Sequence, residues 1–156
     1  MSDNKMQWKK GKTSIIIKIY RAERWCWTHH MRILAKIIWR LMQIMFACYI
    51  PPSAVLGDGV KIGHGLGIVI HHNAEIGDGT VIYQNVTIGV KGPKIGKNCI
   101  LGTGCVILGD IRIGDNVKIG ANAVVLEDIP DNCTVVGVPG RIIKKDGVRV
   151  DSAHKD

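Results

Sequence analysis

Apolar and glycine residues follow one another along this chain with a period that is neither helical nor a simple strand alternation. From Leu56 an aliphatic residue recurs every six positions, at Leu56, Ile62 and Ile68. The phase slips by two at His71–His72 and resumes at Ile76, Ile82 and Ile88. It slips by one across Lys91–Lys94 and continues through Ile95, Leu101, Ile107, Ile113, Ile119 and Val125. The next residue is glycine at 57, 63, 77, 89, 96, 102, 114 and 120, and departs from glycine once in every three hexads, at Val69, Tyr83, Leu108 and Leu126. Four residues after each aliphatic runs a second column: Val60, Leu66, Thr80, Val86, Cys99, Cys105, Ile111, Val117, Ala123 and Ile129, with His72 and Gly92 at the two breaks.

A six-residue period predicts a short strand followed by a turn, repeated as the flat sides of a coil. Glycine after the aliphatic is expected to supply turn conformations that a Cβ opposes. Three sides close a triangular coil of eighteen residues, which accounts for the threefold recurrence of the glycine exceptions. Twelve hexads make four coils, a prism about 20 Å tall at roughly 4.8 Å per coil. This is the hexapeptide signature of a left-handed parallel β-helix. Parallel stacking pairs the backbone groups of successive coils, and aliphatic columns fill the interior.

The stack needs its apolar ends covered. Residues 31–49 read as an amphipathic helix, with Met31, Leu34, Ile37, Ile38, Leu41, Met42, Met45 and Phe46 on the apolar face and Arg32, Lys36, Arg40 and Gln43 on the polar stripe. Pro51-Pro52 ends it. An earlier helix is expected over Ser14 to Trp27. The organisation expected is therefore a basic helical cap over 1–50, a β-helix over 51–130, and a closing segment over 131–156.

Composition narrows the classes. Aromatics are 5% with a single Phe, so small and β-branched residues must fill the core. Five cysteines and no signal peptide argue for a reducing cytoplasm over a disulfide framework. Cys99 and Cys105 lie in the inward column and read as core packing; Cys26, Cys48 and Cys133 lack metal-ligand spacing, and no metal is expected. Residues 1–50 hold ten Lys/Arg against Asp3 and Glu23, while 51–156 balance eleven against eleven. The basic arm is expected to cap the prism. Its other use is docking to an anionic membrane at the inner face, with Trp8, Trp25, Trp27 and Trp39 as interfacial anchors. No nucleic-acid partner is expected.

Candidate chemistry lies where polar residues interrupt the columns. His64 stands between Gly63 and Gly65, and His71–His72 stand at a phase break. A neutral imidazole can take a proton near neutral pH. His71 and His72 read equally as surface turn residues. The stretches Ile62-Gly63-His64-Gly65-Leu66-Gly67-Ile68-Val69-Ile70, Ile82-Tyr83-Gln84-Asn85-Val86-Thr87-Ile88-Gly89 and Gly137-Val138-Pro139-Gly140-Arg141-Ile142-Ile143 resemble the serine acetyltransferase branch of the hexapeptide-repeat acyltransferases. The resemblance covers about residues 50–145.

That resemblance implies an acetyl-CoA-dependent O-acetyltransferase, a homotrimer with sites between neighbouring prisms, and His64 as general base. It carries acetyl-CoA contacts onto Gly89, Thr103, Lys118, Ala121 and Arg141, and acceptor contacts onto Tyr49, His71, His72 and Gln84. The chain departs from the family at Gly63, where an Asp precedes the catalytic His. It departs again at Tyr49, where the orienting acid falls, and at Val90–Lys94, which shortens a loop carrying Arg-His. The acceptor is thus open between serine and a sugar hydroxyl of polysaccharide biosynthesis. A non-catalytic trimeric scaffold is the alternative of a different class.

Overall fold

The computed structural model describes residues 14–150. Two helices precede fifteen short strands. Helix α1 spans Ile15–Thr28 and α2 spans Arg32–Phe46. Ser14 caps α1, its hydroxyl accepting from the Ile16 N–H at 3.3 Å. Ala47, in the left-handed region, ends α2.

The strands stack in three parallel ladders, the sides of the expected left-handed β-helix. The first side holds β1 (Val55–Leu56), β4 (Glu75–Ile76), β7 (Lys94–Ile95) and β10 (Arg112–Ile113). The second holds β2 (Lys61–Ile62), β5 (Val81–Ile82), β8 (Ile100–Leu101), β11 (Lys118–Ile119) and β13 (Cys133–Val136). The third holds β3 (Val69–Ile70), β6 (Thr87–Gly89), β9 (Val106–Leu108) and β12 (Val124–Val125). Past the coils, β14 (Arg141–Lys145) and β15 (Val148–Arg149) extend the second side as antiparallel strands.

Register moves the first phase break. Ile70, not Ile68, pairs with Ile88. Ile62 and Ile70 are therefore equivalent positions on successive sides, eight residues apart instead of six. The two extra residues lie in the corner of His64 to Gly67, where Gly65 and Gly67 both take positive φ (61° and 64°). Both Ile68 and Ile70 are fully buried, which made the two phases look alike in the sequence. The inward second column accordingly runs through Ile68, Ala74 and Pro93, not Leu66, His72 and Gly92. The backbone confirms this, since Val69 N donates to Val86 O, Val55 N to Ala74 O and Glu75 N to Pro93 O. Leu66 is 57% exposed.

The glycines after the aliphatics have a different cause from the one expected. None of the eight has positive φ; that conformation falls elsewhere, at Gly59, Gly79 and Gly104 and at Asn85, Asn98 and Asn116 among others. What those eight glycines permit is close stacking. A Cβ on Gly77 would lie 2.6 Å from the Gly96 carbonyl carbon, and one on Gly102 would lie 2.7 Å from Ile119 O. Side chains there would pry the coils apart.

Helix α1 covers the first coil. The Tyr20 hydroxyl donates to Ala54 O at 2.7 Å and accepts from Leu56 N at 3.2 Å. Arg24 donates to the Pro52 and Ala54 carbonyls and Arg21 to that of Gly57. Ile16 packs against Gly65. Helix α2 behaves otherwise than its pattern predicts. Its fully buried side chains are only Ala35 and Met42, with Trp39 and Phe46 partly buried, while Leu34, Ile37, Leu41 and Met45 of the expected core face are exposed. The apolar sector of α2 is wider than the strip that α1 and the prism can cover. Trp8 lies outside the described residues, and Trp39, half-buried against Tyr49 at 5.1 Å between ring centroids, is no free anchor.

Glu23 on α1 is fully buried, and neither carboxylate oxygen has a hydrogen-bond partner. Burial pushes its carboxyl from 4.5 up to about 8. Below pH 4.5 both folded and unfolded chains hold the proton; between there and about 8 only the folded chain does. Stability must therefore fall as pH rises through that window and level off above it, by an amount on the order of a few kcal/mol. Thermal melts of the natural chain should drop between about pH 5 and 8, and Glu23→Gln should flatten that drop. An unchanged slope in the variant would assign the effect elsewhere.

Candidate active site

The parallel register carries the corner of His64 upward through every coil. Ile62, Ile82, Leu101 and Ile119 are mutual partners along the second side. Two residues beyond the upper three stand Gln84, Thr103 and Ala121, one above another, and beneath them Leu66, whose carbonyl accepts from Asn85 N as those of Gln84 and Thr103 accept from Gly104 N and Asn122 N. His64 stands at the foot of this edge, in the two residues that enlarge the lowest corner. Three rungs at roughly 4.8 Å span about 14 Å from that corner to Ala121. Four residues singled out separately in the sequence thus share one edge of the prism, between its second and third sides. At the top of this edge Val136 stands over Gly120, whose Cβ would meet its Cγ1 at 2.9 Å, and Val136 pairs with Arg141.

His64 is exposed on the enlarged corner. Gly67 takes the left-handed conformation that Asn85, Gly104 and Asn122 take at the same position of the higher coils, whereas His64 and the left-handed Gly65 are the residues this corner has in excess. Among the described residues no hydrogen bond holds its ring. Gln84, half-buried one coil up on the same edge, has a buried Oε1 without a partner, an acceptor available to a ligand N–H or O–H.

His71, His72 and Gly89 occupy another edge. Val69 pairs with Thr87 and Ile70 with Ile88, so His71 lies below Gly89, at the corner between the third and first sides. The His71 and His72 rings are 4.0 Å apart. Burial, and the neighbouring His72 second, lower the His71 pKa below the usual imidazole value. The Asn73 backbone N–H donates to His71 Nδ1 at 3.2 Å, which leaves the ring proton on Nε2. The one-residue insertion after Gly89 folds over this turn. Val90 and Lys91 both take positive φ (47° and 66°), rare for a β-branched residue. A Cβ on Gly92 would meet the Asn73 backbone at 2.6 Å. Sequence reasoning missed Lys91 and Asn73 as parts of this corner; the signal available was the phase slip itself.

Tyr49 lies beside the His64 corner, where the thiol of its neighbour Cys48 donates to Gly65 O at 3.1 Å. It bridges Val69 at the foot of the third side, with its N–H on Ile68 O at 2.7 Å. Lys118 stands on the outward face of the second side, where it lines with Thr134 and Lys144 an open groove of about 870 Å³. Within one chain, then, the structure gathers His64, Gln84, Thr103 and Ala121, and separates them from His71, His72 and Gly89 by the full width of the third side.

The interior offers no nucleophile. All five cysteines are free and buried. Burial pushes the Cys99 thiol up to about 11 and that of Cys105 to about 12, far from a thiolate at neutral pH. Among the described residues no group of three or more His, Cys, Asp or Glu side chains is arranged to hold a metal ion.

Triangular coils with six-residue sides define a hexapeptide-repeat β-helix protein. The family model described as bacterial transferase hexapeptide (six repeats) matches residues 92–127. Serine acetyltransferase of Synechococcus elongatus is 42% identical over 139 residues, 85% of this chain and 57% of that protein. The Staphylococcus aureus Mu50 enzyme is 43% identical over 125 residues, 76% of this chain and 59% of that one. A Brucella abortus serine acetyltransferase solved with coenzyme A superposes with a TM-score of 0.80 at 34% identity, over 85% of this chain and 56% of that one. A Neisseria gonorrhoeae serine acetyltransferase solved with serine gives 0.77 at 37%, over 81% and 54%. The chain belongs to the hexapeptide-repeat acyltransferases, on their serine acetyltransferase-like branch. It spans under three fifths of the length of the curated relatives just named.

If the thiols are as enclosed as their burial indicates, a thiol-reactive chromogenic disulfide should find none of the five accessible in the folded protein, and all five after denaturation. Rapid modification of Cys99 or Cys105 in the native state would contradict the core assignment.

Proposed function

We propose that the protein is an acetyl-CoA-dependent O-acetyltransferase acting on a small hydroxyl acceptor, serine first among them. The observation that carries this is the one prism edge shared by His64, Gln84, Thr103 and Ala121, together with relatives named as serine acetyltransferases and neighbours solved with coenzyme A and with serine. His64 removes the acceptor's proton as its oxygen attacks the thioester carbonyl. The tetrahedral oxyanion collapses, the C–S bond breaks, and the thiolate of coenzyme A takes the proton back from the imidazolium. No acyl-enzyme forms. Gln84 orients the acceptor, its unpartnered Oε1 accepting from an acceptor O–H or N–H. Thr103 and Ala121 line the path of the pantetheine arm, with Arg141 and Lys118 toward the phosphates.

The functional unit of this proposal is a homotrimer. His71, His72 and Gly89 lie one prism side away from His64. A neighbouring prism that sets its own His71 edge against this His64 edge makes one groove of the two. The buried free thiols fit a reducing cytoplasm.

A second reading changes only the acceptor. Tyr49 stands in place of an acid, and Gly63 and the short Val90–Lys94 loop supply no carboxylate or Arg-His pair for an amino acid. Those features favour a neutral sugar hydroxyl.

His64→Ala should lower turnover by roughly 10²–10⁴-fold, the usual contribution of a general base, while leaving calorimetric coenzyme A binding and trimer mass intact. A thiol-release assay with acetyl-CoA, run against serine and a panel of sugars, separates the acceptors. Near-normal turnover of His64→Ala on every acceptor would remove the mechanism. Light scattering should give about three times the 17.1 kDa chain mass, and a monomer at micromolar concentration would remove the shared groove.

A further inference from the structure

The outer face of α2 stands without an occupant. Ile33 (79% exposed), Ile37 (52%), Leu41 (52%), Ile44 (74%) and Met45 (65%) project on the side opposite the buried Ala35 and Met42. Arg32, Lys36 and Arg40, all exposed, border that apolar strip along one flank. Helix α2 contains no acid, and the sole acid of α1, Glu23, is buried. At the helix–helix turn Trp25 is 55% exposed and stacks on His29, and Arg32 lies over the Trp27 ring. An aliphatic strip, a row of cations with no acid of their own helix beside them, and indoles at one end match the requirements of a helix lying in a lipid interface.

We propose that the outer face of α2 docks the protein on an anionic lipid surface, its aliphatic side chains entering the headgroup–acyl boundary while Arg32, Lys36 and Arg40 meet lipid phosphates. Charge selects this occupant over a second copy of the hairpin. A second hairpin brings the same three cations and no exposed acid to meet them, whereas an anionic leaflet supplies the missing countercharge. Residues 1–12 add four lysines against one aspartate to the same end of the chain. Among the described residues no helix is long and apolar enough to cross a membrane, so the attachment is peripheral. The docking rests on neither the acetyl-transfer chemistry nor the choice of acceptor.

Flotation of the full chain with phosphatidylcholine vesicles, with and without phosphatidylglycerol, tests the proposal. The protein should float only with the anionic vesicles and be released as ionic strength rises from about 0.05 to 0.5 M. Replacing Arg32, Lys36 and Arg40 together by Gln should weaken binding about a hundredfold, at roughly fivefold per cation. Replacing Ile33, Ile37 and Ile44 together by Ser should weaken it at least tenfold. These side chains are exposed, so both variants should keep the parent melting temperature and sedimentation coefficient. The proposal is overturned by failure to float with anionic vesicles, or by flotation that survives the Ser substitutions. It is equally overturned if those substitutions change the sedimentation coefficient and leave flotation untouched, which would identify a second copy as the occupant.

Discussion

The hydrogen-bond ladder between successive coils is the constraint on which everything else in this protein depends. Along the three sides, strand N–H groups donate to carbonyls mostly seventeen to nineteen residues later, as in Gly63 N to Ile82 O and Lys94 N to Ile111 O. Two- and three-residue strands would be worthless alone. Repeated along three sides they fix the register of the whole chain. The aliphatic at each strand is thereby turned inward, and the glycine after it is brought so near the next coil that no Cβ fits. The same ladder stacks Gln84, Thr103 and Ala121 over the corner that carries His64, although up to fifty-seven positions separate them in the sequence. A one-residue slip anywhere in the stack would disperse that column.

Departures from the ladder's period are where the candidate site histidines stand. The two-residue enlargement at His64–Gly67 lifts an imidazole and Leu66 out of the packing scheme, and Ile16 of α1 backs the corner at Gly65. The one-residue insertion after Gly89 drapes Val90 and Lys91, in unfavourable backbone conformations, over the His71–Asn73 turn. Insertions at corners cost the ladder nothing, because the strands on each side keep their partners. They change only what each edge presents. The capping helices obey a different rule: they are held by Tyr20, Arg21 and Arg24 through backbone carbonyls and by a narrow apolar contact, with Glu23 enclosed in it.

Much of this was legible in the sequence. The hexad identities alone predicted the fold, the triangular section and the number of coils, because side chains on a flat repeat can alternate in only one way. The position of the first phase break was not legible, since Ile68 and Ile70 are both aliphatic and only the pairing of Ile70 with Ile88 distinguishes them. The role of the glycine column was misread because a sequence displays a missing Cβ without revealing whether conformation or contact forbids it. Helix α2 looked like a cap because its apolar residues fall at helical spacing; that pattern reports which faces avoid charge, not which find a partner. Glu23 entered only the charge balance of the first fifty residues, as burial of a single acid leaves no mark on the residues around it. For the site, His64 stood out by its glycine flanks, whereas the separation of His71, His72 and Gly89 onto a second edge required the fold.

The account turns on a groove made from two unlike edges of neighbouring prisms. A crystal structure of the protein with coenzyme A tests it most directly. The account predicts the pantetheine arm against Thr103 and Ala121 of one chain, its thiol end near that chain's His64, with the His71 and Gly89 edge of a neighbouring chain closing the other wall. Coenzyme A held wholly by one chain, with His64 turned away from its sulfur, would contradict it.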